Sequence, residues 1–352
     1  MSKVYDALGP DGFGAYQVAW NDGQPSFERV HWPPQGLLIP GFVDLHIHGA
    51  FGIDFMSCAP EEIDLLCTRL ESEGYEGFLP TTVTADAASV RAAIAKITQN
   101  EMILGFHLEG PFISPEFPGA QPQEFITDPP WEGSEWDEVL ADPRLRIVTL
   151  APERNGALAL ISRLSSSGVI ASMGHTDATY DEARRGFEYG ITHVTHTFNA
   201  MRPFHHREAG TVGYALQNDS LNCELIYDRH HVVRRAASLL FKLKGPERVI
   251  AISDGTLASG MLPGTTLEMW GRKCIVDRGT VRLEDGTLAG SSITLLDAFR
   301  NLYEDFGPEI AISACCLNPR RALGLTEPPR VWLELDGKLG IARRIVRSSN
   351  MA

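Results

Sequence analysis

From residue 38 onward, short apolar runs alternate with longer segments whose apolar residues recur at helical spacing. Such alternation predicts repeated βα units and a parallel sheet. The runs lie near residues 42–46, 76–79, 103–108, 146–150, 170–173, 192–195, 223–226 and 249–252. Eight strands are the number that closes a (β/α)8 barrel of the TIM type, and the segment has the usual length for that fold. The pattern therefore predicts an α/β chain built on such a barrel.

Helix boundaries are marked between several of these runs. Pro60 opens a helix that stops at Gly74, Asp86 precedes a second helix, and Thr179 precedes a third that ends on Gly190. The helix between the sixth and seventh runs carries no clear boundary signal. Beyond the eighth run, the stretch WGRKCIVDRGTVRLEDGTLAG predicts hairpin strands, and further helices are expected to begin at Ser292, Pro308 and Pro319.

The two ends of the chain have a different pattern. Residues 1–38 alternate weakly and are rich in turn residues, which favours short antiparallel strands. Residues 326–352 contain VWLELDGKLGIARRIV, which predicts paired strands around Asp336-Gly337. We expect the two ends to form one small β-domain beside a barrel domain at residues 39–325.

Composition narrows the range of functions. The 352 residues carry a net charge of −14 and no basic stretch, which argues against nucleic acid or an anionic membrane as the main partner. A small anionic substrate remains compatible, because one local arginine can hold it. The six cysteines form no CxxC or regular framework, and the N-terminus has no apolar signal segment. These features predict a cytoplasmic protein with reduced thiols.

Five of the apolar segments end in side chains that bind metals. In a parallel barrel the ends of the strands meet at one rim, so these side chains are expected to converge there. Histidine and carboxylate groups that converge in this way suit a divalent ion that activates water. The residues are His46 and His48 in VDLHIHG, Glu109 in HLEGP, His175 in MGHTD, His196 in VTHTF, and Asp254 in ISDGT.

Each of these positions also has a simpler interpretation. Residues i and i+2 share one face of a strand, so His46 and His48 can bind the same ion. The simpler interpretation is that they are two ordinary surface imidazoles. An isolated histidine is more often a hydrogen-bonded core residue than a ligand, and His193 is expected to point away and be structural. A lone Asp before Gly, such as Asp254, is most often a turn residue. The functional interpretation rests on all six occurring together.

The segments HLEGPFISPE, GHTDATYDEARRGFEYGITHVTHTFNAM, RHHV, ISDGT and DGTLAGSSITLLDAFRNL resemble the N-acetylglucosamine-6-phosphate deacetylase family of the amidohydrolase superfamily. The resemblance runs from about Pro40 to Leu325. It implies an amidohydrolase-type barrel that hydrolyses the acetamide of an N-acetylated amino-sugar 6-phosphate, most simply N-acetylglucosamine 6-phosphate. The products would be acetate and the amino-sugar phosphate. The resemblance also implies a homodimer, with the neighbouring subunit contributing near the site.

The resemblance assigns roles to matching positions. Glu109, His175 and His196 would bind the principal metal, and Asp254 would act first as general base and then as acid. His46 and His48 occur in those family members that can hold two ions, so one or two ions per subunit remain open. Zn²⁺ is the expected metal, with Fe²⁺, Mn²⁺ and Co²⁺ as alternatives. The substrate would contact Gln121, Asn199, Ala200, Arg207, His231, Leu288, Ala289 and Gly290, with Arg207 and His231 serving the phosphate.

Two positions depart from the family pattern. Gln121 stands where the family usually has a histidine that polarises the acetyl carbonyl, and Arg229 stands where it usually has glycine. An amidohydrolase acting on an unphosphorylated acetylated sugar, or on another small amide, is therefore the alternative. A third hypothesis is a sugar-binding or scaffold protein whose barrel has lost catalytic activity. The complete set of His, Glu and Asp residues argues against this hypothesis.

Overall fold

The structure is a computed structural model that describes residues 3–21 and 23–347. In these residues the strands form an eight-stranded, a six-stranded and a four-stranded sheet and one short hairpin. The strands are β1 (Lys3–Gly9), β2 (Gly12–Asn21), β3 (Gln24–Arg29), β4 (Leu37–Pro40), β5 (Phe42–Ile47), β6 (Gly49–Ala50), β7 (Ile53–Asp54), β8 (Tyr75–Thr82), β9 (Phe106–Glu109), β10 (Leu145–Leu150), β11 (Ile170–Met173), β12 (Ile191–Val194), β13 (Asn222–Ile226), β14 (Val249–Ile252), β15 (Thr266–Met269), β16 (Arg272–Asp277), β17 (Thr280–Leu283), β18 (Leu288–Ser291), β19 (Val331–Leu335) and β20 (Ile341–Val346).

Helices follow most of the barrel strands. They are α1 (Pro60–Ser72), α2 (Ala87–Ile94), α3 (Asp137–Leu140), α4 (Ala157–Ser166), α5 (Tyr180–Tyr189), α6 (Gly210–Gln217), α7 (Arg234–Lys244), α8 (Leu295–Phe306), α9 (Pro308–Ile312) and α10 (Asn318–Ala322). A 3₁₀ turn spans Gln123–Phe125, and a π-helical turn, Ser313–Leu317, joins α9 to α10. Within the described part of the chain, none of the helices has the length and apolarity needed to cross a bilayer.

The eight-stranded sheet forms the predicted barrel. Its order is β5-β8-β9-β10-β11-β12-β13-β14, and every neighbouring pair is parallel. The first and last strands meet at their ends, where Asp254 N donates to His46 O at 3.0 Å and His48 N donates to Gly255 O at 2.7 Å. All eight strands expected from the apolar runs are present, and the barrel is confirmed.

Apolar side chains fill the barrel and cover it. One buried cluster takes residues from non-adjacent barrel strands, so it occupies the interior; it contains Val43, Leu45, Leu79, Ile147, Ile226, Ile250 and Ile252. A larger cluster packs the helices against the outside of the strands. Close packing of this kind holds each strand end at a fixed place, which is what a site assembled from several strands requires.

Helix boundaries largely follow the capping signals. Asp86 accepts a hydrogen bond from Ser89 N at 2.7 Å ahead of α2, and Thr179 forms a capping box with Glu182 ahead of α5. The unmarked helix after the sixth strand is α6. One predicted start was wrong: α8 begins three residues after Ser292, because β18 extends to residue 291 and Thr294 forms the cap.

The strands at both chain ends form the second sheet, as expected. Its order is β20-β19-β4-β1-β2-β3, so the C-terminal hairpin pairs with β4, which pairs in turn with β1. Strand β4 straddles the expected boundary at residue 38 and leads straight into the barrel strand β5. The remaining sheet, β15 to β18, is an antiparallel insertion after the eighth barrel strand. Its last strand touches the barrel through a bridge between Gly255 and Ser291.

Candidate metal centre

The six candidate ligands lie at the carboxyl ends of five barrel strands. His46 is in β5 and Glu109 ends β9, while His175, His196 and Asp254 each lie two residues beyond the end of their strands. All of them are buried. Positions far apart in sequence are therefore brought to one rim of the barrel, as the sequence predicts.

Glu109, His175 and His196 form one group of metal-ligand atoms. Glu109 Oε1 lies 3.2 Å from His175 Nε2 and 3.1 Å from His196 Nε2, and the two imidazole nitrogens are 3.1 Å apart. A tetrahedral ion with bonds of about 2.0–2.1 Å has ligand atoms about 3.4 Å apart. These three atoms thus have nearly the spacing that a small divalent ion demands.

His46, His48 and Asp254 form a second group beside the first. Asp254 Oδ1 lies 3.3 Å from His46 Nε2 and 3.4 Å from His48 Nε2, and the two nitrogens are 3.3 Å apart. Glu109 links the groups, since its Oε1 is 3.3 Å from His46 Nε2 and its Oε2 is 3.3 Å from His48 Nε2. The arrangement has the donors for two ions joined by one carboxylate.

Hydrogen bonds on the far side of the rings suit them to bind metal. His48 Nδ1 lies 3.2 Å from Thr81 O, and His175 Nδ1 lies 3.0 Å from Phe117 O. A carbonyl oxygen accepts only from N–H, so the proton is assigned to Nδ1 in both rings and the lone pair of Nε2 faces the cluster. The neutral imidazole with a free Nε2 is the form that coordinates a metal.

The electrostatics of the cluster also favour a cation. Burial would lower the pKa of His48, but its hydrogen bonds to Asp254 and Glu109 raise that pKa to about 9. Burial would raise the pKa of Glu109, yet His46 and His175 hold it well below its usual range. The pKa of Asp254 is about 2, because His46 and His48 outweigh its burial. Carboxylates that favour a proton on neighbouring imidazoles also favour a metal ion there.

Three of the six candidate metal ligands have a left-handed backbone. The φ angles are +47° at His175, +27° at His196 and +45° at Asp254. Non-glycine residues are uncommon in this region and are held there only by the surrounding structure. Each lies just after a strand, where this backbone conformation turns the chain away from the barrel.

Two further buried groups support His46. Glu224, in β13, has Oε2 3.4 Å from His46 Nδ1 and accepts from the backbone N of His196 at 3.3 Å. The ring of His107 lies against that of His46, with centroids 4.6 Å apart. Burial and the adjacent His46 keep the pKa of His107 well below its ordinary value, so it is a neutral packing partner.

A cavity of about 260 Å³ opens onto the cluster. Besides five of the six metal-ligand residues, all but His46, its lining includes most of the predicted substrate contacts: Gln121, Asn199, Ala200, His231, Leu288 and Gly290. Gly290 has a φ of +70°, and a Cβ there would come within 2.8 Å of the carbonyl oxygen of Asp254. Glycine is therefore required at this wall of the cavity.

His231 lines the cavity beside a carboxylate that favours its charged form. Its Nδ1 lies 2.6 Å from Asp228 Oδ2, and the side chain is nearly buried. Burial opposes the charged form, but the hydrogen bond and charge of Asp228 raise the pKa of His231 above its ordinary value. An imidazolium in this position can hold an anionic group of a ligand.

Three residues discussed from the sequence lie outside this lining. Arg207 is exposed, with Nη1 2.9 Å from His206 Nε2, and Ala289 is buried in the core of the inserted sheet. Arg229 points away, since its Nε donates to Asp305 Oδ2 at 2.7 Å and its Nη2 to Glu304 Oε2 at 2.8 Å. The single chain thus does not bring Arg207 or Ala289 into the cavity.

Several residues of the site were not predicted from the sequence. Trp270, Thr287 and Ile226 line the cavity, and Glu224 supports the histidines. Glu224 was detectable, because it is a lone charged residue inside an apolar strand. No sequence pattern marks Trp270 as a site residue, because its position beside the cavity depends on how the inserted sheet packs against the barrel.

Comparison with known proteins agrees with the geometry. The model of the amidohydrolase family matches residues 37–328. A similar curated protein is the N-acetylglucosamine-6-phosphate deacetylase of Bacillus subtilis (strain 168), which is 38% identical over 80% of this chain and 73% of its own length. Another is the N-acetylgalactosamine-6-phosphate deacetylase of Escherichia coli O157:H7, which is 37% identical over 90% of this chain and 83% of its own length.

Solved structures give the same result. The N-acetylglucosamine-6-phosphate deacetylase of Thermotoga maritima superimposes with a TM-score of 0.89 at 31% identity, covering 99% of this chain and 98% of that one. A mutant of the Mycobacterium smegmatis enzyme, in complex with N-acetyl-D-glucosamine-6-phosphate, matches with a TM-score of 0.87 at 28% identity and covers 98% of both chains.

Proposed function

This chain belongs to the amidohydrolase family, and we propose that it deacetylates an N-acetylated amino-sugar 6-phosphate. It is a hydrolytic enzyme with a metal-binding site. Water would add to the acetamide carbonyl, the C–N bond would break, and acetate and the free amine would leave. The observation that carries the proposal is a cluster of four histidines, Glu109 and Asp254 at one end of a cavity that His231 also lines.

The ligand residues divide into two proposed sites. Glu109, His175 and His196 would hold the principal ion, and His46 and His48 would hold a second ion that shares Glu109. Zn²⁺ fits the set best, because nitrogen and carboxylate donors at tetrahedral spacing suit it, although Fe²⁺, Mn²⁺ and Co²⁺ accept the same donors. When bound, the metal lowers the pKa of water towards ~7 and polarises the carbonyl.

Asp254 would move the proton. Its Oδ1 faces the cluster, and its low pKa keeps it as a carboxylate that can accept the proton of the attacking water. The same proton would then be given to the departing nitrogen, which must be protonated to leave as an amine. Gln121 lines the same cavity, and its amide N–H is the available donor towards the acetyl oxygen.

The other end of the substrate would be held by the cavity wall. His231, whose pKa Asp228 raises, would bind the phosphate, with Asn199, Ala200, Leu288 and Gly290 around the sugar. Arg207 would complete the phosphate site in a homodimer, where a neighbouring subunit lies against its exposed loop. A cytoplasmic location fits the six free, buried cysteines and a phosphorylated substrate.

One observation favours the alternative substrate. Arg207 lies outside the cavity of the single chain, so an unphosphorylated acetylated sugar or another small amide would lose little binding there. The relatives act on both glucosamine and galactosamine phosphates by name, which leaves the sugar configuration as a second question.

The test is acetate release by metal-loaded protein from N-acetylglucosamine 6-phosphate, N-acetylgalactosamine 6-phosphate and unphosphorylated N-acetylglucosamine. We expect kcat/KM to favour the phosphorylated sugars by more than ~100-fold, or about 2.7 kcal/mol. A smaller preference supports the alternative. If no acetate is released from any acetylated sugar, the proposal fails.

A further inference from the structure

A second and larger cavity lies beside the catalytic cavity, which is the one that opens onto the metal-ligand cluster. Its volume is about 670 Å³, compared with about 260 Å³ for the cavity over the metal-ligand cluster. Among the residues that the structure describes, Trp270 is the one residue that lines both cavities. The indole is therefore part of the wall between them.

Trp270 is held firmly in that wall. Its Nε1 donates to Asp54 Oδ2 at 3.1 Å, and its ring meets that of His48 edge-on, with centroids 5.7 Å apart and planes at 78°. Trp270 therefore borders the metal-ligand end of the catalytic cavity. The metal-ligand end is where water would attack the carbonyl carbon of the amide. The part of the substrate that lies against the indole would therefore be the acyl chain, which is bonded to that carbon.

The backbone under Trp270 is unusual for such a large residue. Met269 pairs with Arg272, so Trp270 and Gly271 form a two-residue hairpin turn, with φ angles of +52° and +74°. Turns of this kind strongly prefer Asn, Asp or Gly in the first place. A bulky residue kept in a disfavoured conformation beside a site is typical of a functional constraint.

A second pair of residues joins the linings of the two cavities. Gln121 lines the catalytic cavity and Thr84 lines the larger one, and Thr84 N donates to Gln121 Oε1 at 2.8 Å. The larger cavity offers apolar surface from Ile53, Met56, Val83, Leu257 and Met269, together with four carboxylates from Asp54, Glu62, Glu124 and Glu268. Such a lining suits an uncharged alkyl chain and repels an acidic one.

We propose that Trp270 sets the acyl specificity of the enzyme, by closing the catalytic cavity behind the acetyl methyl group and keeping longer neutral acyl chains out of the larger cavity. This inference rests on the proposed deacetylase function. It places no new step in the reaction, because the indole N–H is too weakly acidic to transfer a proton. It assigns to one side chain the choice between acetyl and longer N-acyl substrates.

The test compares Trp270→Phe, Trp270→Leu and Trp270→Ala on the N-acetyl, N-propionyl and N-butyryl derivatives of glucosamine 6-phosphate, with the released acid measured by chromatography. Fitting one extra methylene is worth about tenfold or more in kcat/KM. We expect the butyryl-to-acetyl ratio to rise at least tenfold in the Ala variant and to increase in the order Trp, Phe, Leu, Ala. Trp131→Ala is the matched control, since Trp131 is 72% exposed and lines neither cavity.

The outcomes separate the two proposals. If the wild type releases acetate and the ratio stays unchanged in folded, metal-loaded variants, the role of Trp270 is wrong and the deacetylase function stands. If the wild type hydrolyses no acylated sugar phosphate, both the deacetylase function and the role of Trp270 are wrong. Should the Ala variant not fold, the Phe and Leu variants decide, because each keeps an apolar side chain in the turn and still shortens the wall.

Discussion

The side-chain amide of Gln121 donates a hydrogen bond to Oε2 of Glu109 at 2.5 Å, while its own oxygen accepts from Thr84 N. Gln121 thus fixes the carboxylate that joins the two ligand groups. The position that departs from the family pattern is built into the centre of the site, and its amide stays close to where the acetyl carbonyl would lie.

Gln121→Ala should lower kcat by about 10²-fold, because the loss of one positioned donor costs 10²–10³-fold in comparable sites. Acetate release gives the rate, and metal analysis should show unchanged ion content, since Glu109 and the four histidines remain. Gln123→Ala is the control, because that glutamine is exposed and lines neither cavity. A normal kcat would remove Gln121 from the chemistry.

Asp254→Asn should reduce turnover by at least 10³-fold, because the amide cannot accept the proton of water. The group of Glu109, His175 and His196 is untouched, so the purified variant should retain at least one ion per subunit. Elemental analysis and acetate release measure the two effects. A variant that loses all its metal would show that Asp254 acts mainly as a ligand.

His48→Gln should lower the metal content from two ions per subunit to one, since His48 belongs only to the second group. His175→Gln should instead weaken the principal site and abolish activity. Chelation of the wild type, followed by titration with Zn²⁺, gives the reference stoichiometry. Recovery of full wild-type activity at one equivalent would contradict a functional second ion.

The affinity for phosphorylated substrate should fall as the pH rises through the pKa of His231. Burial lowers that pKa but Asp228 raises it above its ordinary value, so the imidazolium persists to a higher pH than in an exposed histidine. KM for the phosphorylated sugar should therefore increase above that pKa, and Asp228→Asn should move the increase to lower pH. His231→Asn is the control and should remove the step. A KM that stays flat with pH in the wild type would exclude His231 from phosphate binding.

Arg229→Gly should leave KM for the phosphorylated substrate unchanged, because the guanidinium contacts Asp305 and Glu304 and not the cavity. The free energy of unfolding should change by about 1 kcal/mol or less, since the guanidinium is 37% exposed and solvent screens its ion pairs. Glycine also suits the φ of +69° at this position. An increased KM in a stable variant would show that Arg229 reaches the ligand.

The barrel was predictable because burial on both faces gives parallel strands their short, nearly continuous apolar runs. The ligand residues were predictable for a related reason: a charged or imidazole side chain that ends such a run has one rim to occupy. Helix starts at Asp86 and Thr179 followed from capping, whereas the start of α8 did not, because β18 competes for the same residues.

Other features depended on contacts that no local pattern encodes. Asp254 lies within 3.4 Å of both His46 and His48 because the last barrel strand meets the first. The same closure of the barrel lets Glu109 link the two ligand groups. Arg229 was recognisable from the sequence as a departure from the family pattern, but only its ion pairs with α8 show that it points away from the cavity.

The sequence by itself determined the order of strands and helices and the chemical types of the ligands, because periodicity and side-chain chemistry are local properties of the chain. Tertiary structure alone decided that the ligands divide into two groups sharing Glu109, that Gln121 is tied to that carboxylate, and that Trp270 separates two cavities. These are distances between residues remote in sequence, and they are fixed only when the barrel closes and the inserted sheet packs against its rim.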